Sequence, residues 1–207
     1  MPTTTRRGTT SSRGTTSSRG TTTGKSAGAT KSTAAGTSMQ EPLDLFLYEM
    51  SCMYDFEQQN VGNLERLAQE VSHEAARRPI QHHLEETRQQ VQLLDQCFAT
   101  LAARPRKISV QAVRGLQRDR EAFMKRGPNE ALRTLYDVGA AAKVEHMEVA
   151  AYRGLVDQAT HLGQREVVRL LRSILKQEEQ AVRELEAATK QLGKELHPGS
   201  QRMRAVA

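Results

Sequence analysis

The stretch VEHMEVAAY, residues 144–152, reads as the middle of a helix in which Glu145 and Glu148 stand where the apolar spacing calls for core residues. Like charges three apart on a helix face repel. Neither acid has a Lys or Arg three or four positions away. Whatever balances them must come from another part of the chain.

Working outward, the stripe that holds them runs Leu132, Leu135, Val138, Ala142, Glu145, Glu148, Tyr152, Leu155 and opens after Gly127-Pro128. Three more stripes have the same 3.6-residue period. The first is Leu43, Leu47, Met50, Tyr54, Glu57, Val61, Leu64, Ala68, Val71. The second is Ile80, Leu84, Thr87, Val91, Leu94, Phe98, Leu101, with His83, Glu86 and Gln90 along its edge. The last is Val167, Leu171, Ile174, Glu178, Val182, Leu185, Ala188. Short links, around Arg77–Pro79 and His161–Gly163, make each flanking pair antiparallel. The longer join between the second and third stripes has room for a short helix near Val110–Phe123. No segment reads as a strand. The expectation is an all-α, antiparallel four-helix bundle with an extra short helix between the second and third long ones.

Each long helix carries an acid near its midpoint: Glu57, Glu86, Glu145 with Glu148, and Glu178. In an up-down bundle helix midpoints share a level, so these side chains should converge. A surface glutamate usually has a cation at i±3 or i±4, as Glu85 has Arg88 and Glu179 has Lys176 and Arg183. The five midpoint acids have none, although Glu65 and Glu184 also lack one. Within the pairs Glu85-Glu86 and Glu178-Glu179, this assigns the inward role to Glu86 and Glu178. Burying several carboxylates costs several kcal/mol per ion unless protons or cations neutralise them. Four or five acids at one depth favour cations, and an oxygen-rich site suits iron or manganese. His83 shares a face with Glu86 and is a candidate ligand. Gln90 offers a neutral oxygen, and His146 points away from Glu145. Tyr54 and Tyr152, one turn from Glu57 and Glu148, have hydroxyls able to donate to the carboxylates. The ferritin-like di-metal pattern has Glu-x-x-His on two of its helices. Here Gln89, Glu148 and Ala181 stand at those histidine positions.

Residues 1–39 differ in kind from the bundle at 40–194. They are Ser, Thr, Gly and Arg in a near-repeat with no core-forming residues, which predicts disorder. Arg6, Arg7, Arg13, Arg19, Lys25 and Lys31 lie there with no acid, and these six are the whole excess of 30 basic over 24 acidic residues. Such a tail can dock on nucleic acid through phosphates without sequence preference, while the rest of the chain has no net charge. Residues 195–207 read as a short second tail. Cys52 and Cys97 match no metal spacing and fit a reducing compartment. No apolar run reaches membrane-spanning length and no secretory leader is evident, so a soluble, cytoplasmic protein is expected.

The segments LDLFLYEMSCMYDFEQQ (43–59), HLEETRQQVQLLDQCF (83–98), KVEHMEVAAYRGL (143–155) and LLRSILKQEEQAV (170–182) resemble the YciE/YciF-type ferritin-like family over about Gln40–Gly193. The resemblance implies a closed bundle, often a homodimer, with a carboxylate-rich centre for two metal ions and a link to bacterial stress responses. Matched by position, Glu57, Glu86, Glu145, Glu148 and the Glu178-Glu179 pair follow the family's acidic pattern. Arg183 departs from it, standing where the family carries an acid. The function expected is a stress-response protein handling oxygen, peroxide or ferrous iron at an iron or manganese pair, with oxidoreductase-type chemistry if it is an enzyme. The alternative is a non-enzymatic bundle whose basic tail binds nucleic acid.

Overall fold

The computed structural model of the protein describes residues 39–197. The basic residues Arg6 to Lys31 and most of the C-terminal tail lie outside them. Five helices occur in the order α1 (Pro42–Glu70), α2 (Glu74–Thr100), α3 (Gln111–Met124), α4 (Glu130–His161) and α5 (Arg165–Leu196). Among the described residues there is no strand. Pro42 opens α1, its fixed φ suiting a first helical position, and Asp44 accepts from the Glu41 backbone N–H at 3.1 Å. The Asn129 side chain caps α4 by accepting from Leu132 N at 2.9 Å. Gly163, at φ 71°, makes the turn from α4 into α5.

Around the bundle, α1 packs on α2, α2 on α5, α5 on α4, and α4 back on α1. One end gathers the close of α1, the start of α2, the start of α4 and the close of α5. There Ser72 bonds Glu130, and His73 meets Glu195 at 2.9 Å. At the opposite end Gln158 of α4 donates to Glu49 of α1. Every adjacent pair of long helices is therefore antiparallel, including the two pairs for which the short links predict it.

Two details differ from the sequence reading. The first connection is at residues 71–73, where Val71 and His73 are extended, and Pro79 lies inside α2. A proline this near the start of a helix removes one hydrogen bond without ending it. The buried face of α1 is also wider than its stripe. Phe46, Met53, Phe56 and Leu67 are buried, whereas Leu43 is 41% exposed. A single 4-3 line marks one edge of a helix covered by two neighbours, here α2 and α4.

The apolar core forms two slabs. One holds Phe46, Met50, Leu94, Phe98, Leu155 and Ile174 among others. The second holds Leu64, Ile80, Val138, Leu185 and Leu192. The midpoint acids Glu57, Glu145, Glu148 and Glu178 fall between the two, and His83, bracketed by Ile80 and Leu84, reaches into the gap from the edge of the second slab.

The chain crosses from α2 to α4 by way of α3, which packs over the α1/α4 seam. Arg106 N donates to Ser51 Oγ at 3.0 Å, Val110 N to Asp55 Oδ2 at 2.8 Å, and Gln117 to Asn63 at 2.7 Å. Arg120 then forks onto Asp137 of α4, at 2.7 and 2.9 Å, and also reaches Glu70 of α1 at 2.5 Å. The Asp137 side chain is 2% exposed, so losing its partner strands a buried charge. Arg120→Ala should lower stability by about 3 kcal/mol, read as a fall of about 5–10 °C in melting temperature by circular dichroism. Adding Asp137→Leu should recover part of the loss, and an Arg120→Ala protein that melts unchanged would refute the seal.

Candidate metal centre

Between the slabs, Glu57 of α1, His83 of α2, Glu145 and Glu148 of α4, and Glu178 of α5 are all at most 1% exposed. His83, Glu145, Glu148 and Glu178 each offer a ligating atom within 4.8 Å of the others'. His83 Nε2 stands 2.8 Å from Glu145 Oε2 and 3.8 Å from Glu178 Oε2. The Tyr152 hydroxyl donates to Glu57 Oε1, holding that carboxylate at the border of the group. Helical pitch explains the set. Glu145, Glu148 and Tyr152 succeed one another at intervals of three and four on α4 and so share a face.

Both oxygens of Glu148 and Glu178, Oε1 of Glu145 and Oε2 of Glu57 are buried and receive no hydrogen bond from a neutral donor. They can bond to one another only by sharing protons. Burial pushes Glu148 and Glu178 well above the usual carboxylate range, and the surrounding carboxylates add to the push. Burial lifts Glu57 to about 7 against the pull of the Tyr152 hydroxyl and the His83 charge. Glu145 is also pushed up by burial, but the adjacent His83 charge outweighs that and leaves it below the usual range. For His83, burial opposes the charge and is outweighed by Glu145 and then Glu86, which hold the imidazole well above its ordinary value. Protons or cations must fill this layer, and the donor set fits cations. Carboxylate oxygens with a single imidazole are ligands for hard and borderline divalent ions.

The other sequence candidates are placed as follows. On α2 it is His83 that is buried, while Glu86 sits at the edge with 15% of its side chain exposed. This reverses the expected order of the two. His83 lies in line with buried Ile80, Thr87 and Gln90, and Glu86 does not. Thr87 donates to the His83 carbonyl at 2.9 Å and has its hydroxyl 3.4 Å from Nε2. Gln90 is fully buried, donates to Gln177 at 3.3 Å, and leaves Oε1 without a partner. Tyr54 turns away from the carboxylates. Its ring packs edge-on against Phe98 at 6.0 Å and its hydroxyl faces Asp95 of α2. His146 is on the surface 2.9 Å from Glu186, and Glu179 faces Arg153 at 2.7 Å. His82 is not among the sequence candidates, yet its Nδ1 lies 3.8 Å from Glu86 and 3.4 Å from Glu184. The signal was its place four residues before Glu86.

The family described as a domain of unknown function, DUF892, matches residues 41–196. The chain belongs to that family. YciF of Escherichia coli K12 is 30% identical over 136 residues, which are 65% of this chain and 82% of YciF. The crystal structure of the E. coli stress protein YciF superposes with a TM-score of 0.71 at 27% identity, over 75% of this chain and 99% of that one. YcfI of Rhodopseudomonas palustris gives 0.69 at 28%, over 74% and 98%. A protein of Xanthomonas campestris pv. campestris, 21% identical with a TM-score of 0.61 over 78% and 99%, shares the fold. This DUF892 chain is thus YciF-like along nearly all of its described helices.

The layer makes stability depend on pH. Above about pH 4.5 the folded metal-free protein holds protons on Glu57, Glu148 and Glu178 that the unfolded chain releases, so its stability falls as pH rises. His83 has the same sign, because its stabilisation is lost as pH climbs through its raised folded value. Glu145 acts oppositely, and only below 4.5. For Glu57 alone the shift from 4.5 to about 7 corresponds to about 3 kcal/mol. Chelator-treated protein should lose about 5 °C or more of melting temperature between pH 5 and pH 8. A melting temperature that rises over that interval would contradict the assignment.

Proposed function

We propose that the chain is a metal-binding bundle whose midpoint layer takes two iron or manganese ions, and that it handles dioxygen, hydrogen peroxide or ferrous iron in a stress response. The single observation behind this reading is the set of buried carboxylate oxygens, drawn from three helices, that have neither a neutral donor nor water access. His83, Glu145, Glu148 and Glu178 would be the holders, with Glu57 positioned by Tyr152 at the side of the group and Gln90 offering a neutral oxygen. A bound pair would supply electron exchange with a small oxidant. The residues themselves set the charge and exclude water, since the two slabs close the layer above and below. The stress role comes from likeness to YciF, which is described as a stress protein. No helix among the described residues is long and apolar enough to cross a membrane.

Metal analysis of the purified full chain, loaded anaerobically with Fe(II) or Mn(II), is the direct test. Two ions per chain are expected, and retention of less than about half an equivalent would end the proposal, since a specific site holds its ion through desalting. The loaded form should melt about 5–10 °C above the chelated one, as for a ligand near a hundred times its Kd. A Glu57→Ala/Glu145→Ala variant should lose most of the metal.

Glu148→Gln separates this reading from a purely structural polar layer. Removing one buried ionisable group should raise the melting temperature of metal-free protein at pH 8 while lowering metal content. A variant that keeps full metal content would exclude Glu148 as a ligand.

A further inference from the structure

A run of His and Glu donor atoms leads from the layer to the surface between α2 and α5. Glu184 Oε2 is 3.4 Å from His82 Nδ1, which is 3.8 Å from Glu86 Oε2, which in turn is 3.7 Å from His83 Nδ1. The far ring nitrogen of His83 meets Glu145 and Glu178. Side-chain exposure is highest at the outer pair, 32% at Glu184 and 55% at His82, and falls inward to 15% at Glu86, 2% at His83 and 1% at Glu145. His83 Nδ1 and Glu86 Oε2 are both buried atoms without a hydrogen-bond partner, and they face each other. At 3.7 Å the two attract but stand too far apart for a hydrogen bond, so each keeps an unfilled ligand position. It is an arrangement that a passing cation would satisfy.

The outer pair opens on a groove of about 580 Å³ between α2 and α5, where exposed Arg78 tempers the negative charge. The opposite side of the layer offers a poorer route. A cavity of about 60 Å³ under α3 also reaches Glu145, but Arg66 and Arg120 line it, Asp137 is held by Arg120, and Asn63 is held by Gln117. Two guanidinium charges repel a divalent cation there, and the main carboxylate outside the layer is already paired. We propose that His82, Glu184 and Glu86 form the uptake path by which divalent metal ions pass between α2 and α5 into the buried layer. The proposal rests on the layer being a metal centre. It adds the direction of loading and assigns His82 and Glu184 a role in rate that they do not have in final affinity.

Loading kinetics with Co(II) alone test this, followed in a stopped-flow instrument by the visible absorption that appears on ligation. His82→Ala/Glu184→Gln should slow loading about tenfold, the lower range of electrostatic focusing, and reach the wild-type stoichiometry. The control is His146→Ala/Glu186→Gln, which removes a surface His–Glu pair of the same charge across α4 and α5. It should load at the wild-type rate. An unchanged rate in the first variant, an equal slowing in both, or a reduced final stoichiometry in the first would each overturn the path. Failure of the wild-type protein to bind Co(II) at all would instead remove the metal centre on which the path depends. Circular dichroism of each variant confirms that it is folded.

Discussion

The desolvation of acidic side chains at one level of the bundle is the constraint on which the rest of the structure depends. Isolated carboxylates taken out of water cost several kcal/mol each, and Glu57, Glu145, Glu148 and Glu178 are taken out together. The layer cannot stabilise the fold. The two apolar slabs do so, and their separation along the helix axes is a consequence of having a polar layer between them. His83 offsets part of the charge by remaining protonated against Glu145, and shared protons or metal ions must offset the rest. A bundle built only for stability would place apolar residues at these positions, because well-packed hydrophobic replacements are usually neutral or favourable.

Much of this is written in the sequence, because helical period and short links together fix the level at which a residue sits. Glu57, Glu145 and Glu178 are found at one depth for that reason, with no long-range information needed. Rotation about a helix is harder to read. On α2, His83 and Glu86 are separated by three residues and lie near the same edge, and only the placement of α1 and α5 decides which of them is inside. The same ambiguity turned Tyr54 outward to Asp95 and left Tyr152 to bond Glu57. A cation three or four residues away is also an incomplete guide to burial. Glu65 and Glu184 have no cation on their own helix, but Glu65 meets Arg88 at 2.7 Å and Glu184 meets His82, each across a helix pair. An acid served from another helix looks, along its own, just like one that is buried.

The extra helix gives the layer two unlike sides. Closing the α1/α4 seam with α3 takes the buried Arg120–Asp137 fork and a series of bonds from the crossover to α1. The α2/α5 seam has no such covering element among the described residues, and there exposure falls gradually from His82 to His83. Two parallel pairs of antiparallel helices would otherwise be nearly equivalent in how they present their midpoints to solvent. With one seam closed by the Arg120–Asp137 ion pair, the route proposed for cations runs along the seam where His82, Glu184 and Glu86 meet. The long α2–α4 connection, which a simple up-down bundle would not need, therefore does more than carry the chain from one end to the other: it decides from which side the acids can be reached.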